Sequence, residues 1–123
     1  MDKQILIVDD AKFARMVLKK ALINHGYMNI LEAATAADTK RIFAETTPAL
    51  TLLDITLADN SDLTLLQELL AMKPEAKIVI NSAIGQSRII ADALEAGATN
   101  FITKPTDESL LIDIVHSIFS DGE

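Results

Sequence analysis

Gln4-Ile5-Leu6-Ile7-Val8-Asp9-Asp10 opens the chain with four consecutive branched apolar residues that run straight into two carboxylates. The run does not alternate with polar residues. A strand that is apolar at every position is buried on both faces, as happens in a parallel sheet covered by helices. The same motif recurs downstream. Leu50 to Ile55 reads as a strand carrying Asp54 at its end, and Lys77 to Ile80 as a strand with Ser82 just beyond it. Asn100 to Thr103 is followed at once by Lys104 and Pro105, whereas the weaker strand Asn29 to Ala33 ends without a reactive group.

The stretches between these strands carry helical spacing. About Lys12 to His25 is predicted as a helix with Phe13, Met16, Val17 and Ala21 on its buried face and Gly26 supplying the left-handed turn at its end. Thr35 is predicted to cap a helix reaching Glu45, with Ile42 and Phe43 facing inward. A polar loop, Ala58 to Ser61, leads to a stripe of Leu63, Leu66, Leu69 and Leu70, closed by Pro74. Ile89, Ile90, Ala93 and Leu94 keep helical spacing until Gly97. Leu110, Leu111, Ile114, Val115, Ile118 and Phe119 form the last helix. Met16, Met28 and Met72 read as core or fringe packing, and His25 and His116 as surface residues with no acidic partner at ligand spacing. This (βα)₅ alternation predicts one α/β domain over 1–123, a doubly wound parallel five-stranded sheet with helices on both faces.

Composition narrows the function. Of 123 residues, 50% are hydrophobic, enough for one sizeable core and too short for two domains. Eleven Lys and Arg against 18 Asp and Glu give a net charge of −7, which repels nucleic-acid backbones and anionic lipid. The absence of Cys excludes disulfides, thiolate metal sites and a cysteine nucleophile. Asp9 and Asp10 interrupt the N-terminal apolar run too early for a signal peptide, and no run of about 18 apolar residues is long enough to cross a membrane. A soluble, cytoplasmic domain that binds neither nucleic acid nor membrane by itself is the expectation.

In a doubly wound sheet, ligands bind at the carboxyl ends of the strands near the point where the chain switches direction. Four strands would deliver Asp9, Asp10, Asp54, Ser82 and Lys104 to that edge. Three converging carboxylates, with no His or Cys near them in sequence, favour a hard cation such as Mg²⁺ over zinc. With the cation screening incoming oxygens, one carboxylate is free to attack phosphorus; Lys104 offers a point charge, Ser82 a hydrogen bond, and small Ala83 leaves a way in. Singly these residues are ordinary: a solvated strand end, an ST-turn, a surface lysine. Their joint placement carries the reading.

The segments Ile5-Leu-Ile-Val-Asp-Asp10, Leu52-Leu-Asp54, Asn81-Ser-Ala83 and Thr103-Lys-Pro105 resemble the receiver domains of bacterial two-component response regulators, in order and spacing and over essentially the whole chain. Asn81 to Gln86 and Asp10 to Arg15 look like the single-domain chemotaxis (CheY-like) type. The resemblance implies strand order 2-1-3-4-5, as in CheY. It implies Asp54 as phospho-acceptor, Asp10 as a direct Mg²⁺ ligand, Asp9 acting through water, and the backbone carbonyl of Thr56 as a further ligand. Lys104 would contact the phosphoryl group, with a Lys104–Pro105 bond that is cis in many members. Ser82 and Phe101 would be the hydroxyl and aromatic switch positions, altering the surface of helix four, strand five and helix five on phosphorylation. The implied partners are a sensor histidine kinase as phosphodonor and a downstream protein target, with the receiver a monomer or a phosphorylation-dependent dimer. Such a switch catalyses only its own phosphorylation and dephosphorylation.

The chain departs from the family pattern after Asp54, with Ala58, Ser61 and Asp62 where Pro, Asp and Gly are common; Asn60 is an alternative site for the positive φ. Asp59 to Asp62 reads as a solvated loop. Thr106 replaces a common Phe and is expected to cap the last helix, and Ile84 occupies a position that tunes phosphoryl lifetime. Two readings stay open beside a stand-alone switch: a receiver fragment of a longer regulator with its output domain removed, and a pseudo-receiver acting without phosphorylation. A haloacid-dehalogenase-like phosphohydrolase fits poorly, because Thr56 stands where its second Asp belongs. A flavodoxin-like binder fits poorly too, because Asp9 and Asp10 would repel the ligand phosphate.

Overall fold

The computed structural model describes residues 3–56, 63–83 and 86–120. Its elements alternate throughout: β1 (Ile5–Val8), α1 (Lys12–Asn24), β2 (Ile30–Ala33), α2 (Ala36–Thr46), β3 (Leu50–Asp54), α3 (Thr64–Met72), β4 (Ile78–Ala83), α4 (Ser87–Ala96), β5 (Asn100–Lys104) and α5 (Glu108–Ser120). The strands form one parallel sheet in the order β2-β1-β3-β4-β5. The doubly wound fold and strand order expected from the sequence are both present.

Two apolar layers sandwich the sheet, and strand periodicity assigns residues to each. Leu6 and Val8 of β1, Leu53 of β3 and Ile80 of β4 pack with Phe43, Leu66, Leu69 and Ala93 from α2, α3 and α4. The intervening Ile5, Ile7, Leu52 and Val79 pack on the other side with Leu18 and Leu22 of α1 and Leu111 and Val115 of α5. All four β1 residues are buried, as an uninterrupted apolar run requires.

Several helices differ in detail from their expected faces. In α1 the buried residues are Leu18, Ala21 and Leu22, while Phe13, Met16 and Val17 are exposed. Apolar residues occupy both sides of this helix, so periodicity alone does not say which side meets the sheet. Leu65 joins Leu66 and Leu69 in the buried face of α3, displacing Leu63 and Leu70 to its margin. Met28 and Met72 are exposed rather than core. Leu94 and Leu110 also lie on the outer faces of α4 and α5, leaving Ile90, Ala93, Leu111, Ile114 and Val115 to make the contact.

The caps follow local chemistry. Thr35 Oγ1 accepts a hydrogen bond from the Asp38 amide at 3.1 Å, the expected cap of α2. At α5 the carboxylate of Asp107, not Thr106, accepts from the Leu110 amide at 3.2 Å. His25 is exposed, as expected of a surface residue, and lies 3.1 Å from Glu108, joining the end of α1 to the start of α5. Ala58, Asp59, Asn60, Ser61, Asp62 and Ile84 lie outside the described residues, as does the tail beyond Ser120.

Candidate functional site

The carboxyl ends of β1, β3, β4 and β5 converge, because parallel strands in register stop at one edge. Pairing sets Asp54 beside Asn81, Ser82 beside Thr103 and Ala83 beside Lys104. β4 runs through Ser82 to Ala83, and β5 includes Lys104, so both side chains stand on the sheet rather than on the loops after it. This fixes their backbones by ladder hydrogen bonds.

Asp9, Asp10 and Asp54 each offer a carboxylate oxygen, and these atoms all lie within 4.8 Å of one another. Asp9 and Asp54 are almost fully buried, at 1% and 3% exposure, while Asp10 is exposed. Lys104 Nζ lies 3.0 Å from Asp9 Oδ2 and 3.3 Å from Asp54 Oδ2. Partial burial pulls the Lys104 pKa down, but the contact with Asp9 and the charges of Asp54 and Asp9 outweigh it. The ammonium is therefore held above its ordinary value.

Each buried carboxylate is anchored through one oxygen. Asp9 Oδ1 accepts from the Ala11 amide at 2.9 Å, and the Asp9 carbonyl accepts from Arg15 Nη1 at 2.7 Å. Asp54 Oδ1 accepts from both the amide and the hydroxyl of Thr56, at 2.9 and 2.8 Å. These bonds turn the Oδ2 atoms of both residues toward Lys104. That approach to Asp9 Oδ2 is an ion pair without hydrogen-bond alignment, so among the described residues Asp9 Oδ2 has no directed donor.

The donor set suits a divalent cation. Every candidate ligand is a hard carboxylate oxygen, and Lys104 sets one ammonium against two carboxylates, those of Asp9 and Asp54. A buried carboxylate oxygen lacking a directed hydrogen bond is costly unless a cation compensates it. Thr56, expected to contribute its carbonyl, is seen here to donate twice to Asp54.

Ser82 is fully buried, and its hydroxyl donates to Gln86 Oε1 at 2.6 Å. Phe101 is 36% exposed on β5, and Lys104–Pro105 is a cis bond. Asn81 is buried beside Asp54, its Oδ1 without a hydrogen-bond partner among the described residues. Arg15, Asn81 and Gln86 were not legible as site residues; only the convergence of strand ends and loops brings them there. A recess of about 640 Å³, lined by Phe43, Thr47, Lys73 and Lys77 among others, lies at the opposite edge of the sheet, away from the carboxylates. A smaller one of about 180 Å³ adjoins Lys104 and Pro105 and is walled by the exposed Phe13 and Val17.

The chain has counterparts among known proteins. The family model described as the response regulator receiver domain matches residues 5–116. The chain is 35% identical over 116 residues to the chemotaxis protein CheY of Bacillus subtilis, covering 94% of this chain and 97% of that one. It is 34% identical to CheY of Thermotoga maritima, covering 96% and 98%. The crystal structure of the receiver domain of NtrX from Brucella abortus superposes with a TM-score of 0.88 at 29% identity, covering 94% of this chain and 98% of that one. No described helix is long and apolar enough to cross a membrane. By sequence and by fold, the chain belongs to the receiver domains of two-component response regulators.

Proposed function

We propose that residues 1–123 act as one phosphorylation-dependent switch in which Asp54 accepts a phosphoryl group from a sensor histidine kinase in a Mg²⁺-dependent reaction. The observation that carries this reading is the arrangement of Asp54. Its Oδ1 accepts twice from Thr56, while its Oδ2 faces Lys104 at 3.3 Å. Oδ2 is the atom positioned to form the new O–P bond as the donor's N–P bond breaks and its electron pair returns to the imidazole nitrogen.

Asp10 and Asp54 would hold Mg²⁺ directly, with the Thr56 carbonyl, and Asp9 would act through water. Neutralisation of charge on the equatorial phosphoryl oxygens is the chemistry a bound Mg²⁺ supplies there. Lys104, already drawn to this edge by Asp9 and Asp54, would move its ammonium onto a phosphoryl oxygen. Ser82 would donate its hydroxyl to another, and Phe101, half outside the sheet on β5, would follow inward. Pro105 fixes the turn that carries Lys104.

The output would pass through the face built by α4, β5 and α5 to a protein target. Likeness to proteins named chemotaxis protein CheY supports a chemotaxis-type role, which we place in the cytoplasm. With its acidic balance, the domain would act on proteins rather than on nucleic acid or membrane.

The test is intact mass after incubation with a small phosphodonor and Mg²⁺. One phosphoryl group should be gained, and lost with EDTA or in Asp54→Asn. Retained phosphate on the Asn variant would place the acceptor elsewhere. No gain on folded wild-type protein would favour a domain that signals without phosphorylation.

A further inference from the structure

We propose that Gln86 is a positioning residue that engages the Ser82 hydroxyl proton and so sets how strongly a phosphoryl group must compete to throw the switch. The proposal rests on the reading of Asp54 as phospho-acceptor and adds a residue that the reading does not contain.

Gln86 Oε1 accepts two hydrogen bonds, from the Ala83 amide at 2.9 Å and from Ser82 Oγ at 2.6 Å. A backbone amide only donates, so the Gln86 atom facing it is the carbonyl oxygen and not the amide nitrogen. Ser82, meeting that same oxygen, must then be the donor. A serine hydroxyl has one proton to give. A phosphoryl oxygen can only accept, so Ser82 binds it by giving the same proton. Ser82 is 0% exposed, which leaves bulk water no part in the exchange. The remaining approach, to the Ala83 carbonyl at 3.3 Å, is longer and claims the same proton.

Gln86 is also the N-cap residue of α4. Its carbonyl accepts from the Ile90 amide at 3.0 Å, but its side chain makes no cap to the helix and turns back to β4 instead. Release of Ser82 therefore removes one of two donors from the N-cap residue of α4 and leaves the Ala83 bond in place. One neutral hydrogen bond separates the two states. Its loss should shift the competition about fivefold.

The experiment measures the affinity of beryllium fluoride, a phosphoryl mimic, in Mg²⁺ by fluorine NMR. Gln86→Met keeps length and helix propensity but has no comparable acceptor, and it should bind about fivefold more tightly than wild type. Ser82→Ala should bind more weakly, and Gln86→Met should add nothing in that background. Gln86→Ala repeats the comparison should the Met side chain disturb the fold. In EDTA, exchange of the Ala83 amide should accelerate in either Gln86 variant, a readout that needs no ion.

Unchanged or weakened affinity in the Gln86 variants overturns the proposal. So does an equal gain in the Ser82→Ala background, which would mean general loosening. If beryllium fluoride fails to bind wild type, or binds Asp54→Asn equally, the phospho-acceptor reading falls and this inference falls with it. Binding that depends on Asp54 but ignores Gln86 refutes the latch alone.

Discussion

Replacing Asp54 by Asn should stabilise the ion-free protein. Asp9 and Asp10 each place a carboxylate oxygen within 4.8 Å of one on Asp54. At an effective dielectric of about 20, a repulsion of about 3.5 kcal/mol per pair follows, reduced to half or less for Asp10 because it is exposed. Lys104 at 3.3 Å returns about 5 kcal/mol on the same scale, reduced in turn because its side chain is about a third exposed. Repulsion exceeds attraction by about 1–2 kcal/mol, and the Thr56 bonds survive because the Asn carbonyl can replace Oδ1. Urea denaturation in EDTA should therefore show a higher midpoint for Asp54→Asn at unchanged slope. Saturating Mg²⁺ should reverse the order. At about 100 times its dissociation constant, an ion that binds only the folded state adds about 2.7 kcal/mol, and the variant should lose much of that gain. A variant less stable than wild type in EDTA, or one equally stabilised by Mg²⁺, would refute the charge-excess argument for this site.

Three further outcomes test the frame around the site. Lys73 Nζ donates to the Phe43 carbonyl at 2.9 Å and to the Thr47 hydroxyl, and stands 5.4 Å from the Phe43 ring centroid. Lys73→Ala should cost about 1–2 kcal/mol by urea denaturation while leaving Mg²⁺ affinity unchanged. Gly97 ends α4 at φ +120°, and an added Cβ would meet Leu70 Cδ1 at 3.0 Å, so Gly97→Ala should cost about 2 kcal/mol, against about 1 for Gly26→Ala, where nothing lies within 4 Å. Partial burial raises the Glu32 pKa, but hydrogen bonds from Arg15 and Lys19 outweigh it and hold it below the ordinary value. Its stabilisation should be complete above about pH 4.5 and fade as pH falls through the lowered folded value; Arg15→Ala should move the Glu32 titration upward by NMR.

The sheet and its reactive edge were legible because the strands carry their own evidence. An unbroken apolar run as short as Ile5 to Val8 reads as a strand buried on both faces, and a charged residue at its end emerges at the carboxyl edge. Helix faces were less legible. α1 offers Phe13, Met16 and Val17 on one side and Leu18, Ala21 and Leu22 on another, and the choice is made by the sheet, not by the helix. Gln86 and Arg15 escaped for a related reason. Each acts through side-chain bonds to a residue four or six positions away, Gln86 to Ser82 and Arg15 to the Asp9 carbonyl. Such bonds exist only once the strand end and the following helix start are fixed in space. Asp107 was missed as a cap because Thr106 stands beside it, and either residue type can do the work.

The placement of polar cost in the molecule follows the same line. Among the described residues, five of the six buried polar ones (Asp9, Thr51, Asp54, Asn81 and Ser82) lie on or just beyond β1, β3 and β4, the strands with a neighbour on each side. Asp9 Oδ2 and Asn81 Oδ1 lack directed partners among the described residues. A fold selected only for stability would fill these positions with apolar side chains, since buried ion pairs are often no better than well-packed hydrophobes. The apolar layers contributed by Leu6, Val8, Leu53 and Ile80 on one face and by Ile5, Ile7, Leu52 and Val79 on the other offset that cost close by, on the same strands. The paired ends of β1 and β3 keep the Asp9 and Asp54 carboxylates together, 3.0 and 3.3 Å from the Lys104 ammonium. What can rearrange is the side-chain bonding at that edge, where the Lys104 ammonium is shared between two carboxylates and the Ser82 proton is given to Gln86 Oε1.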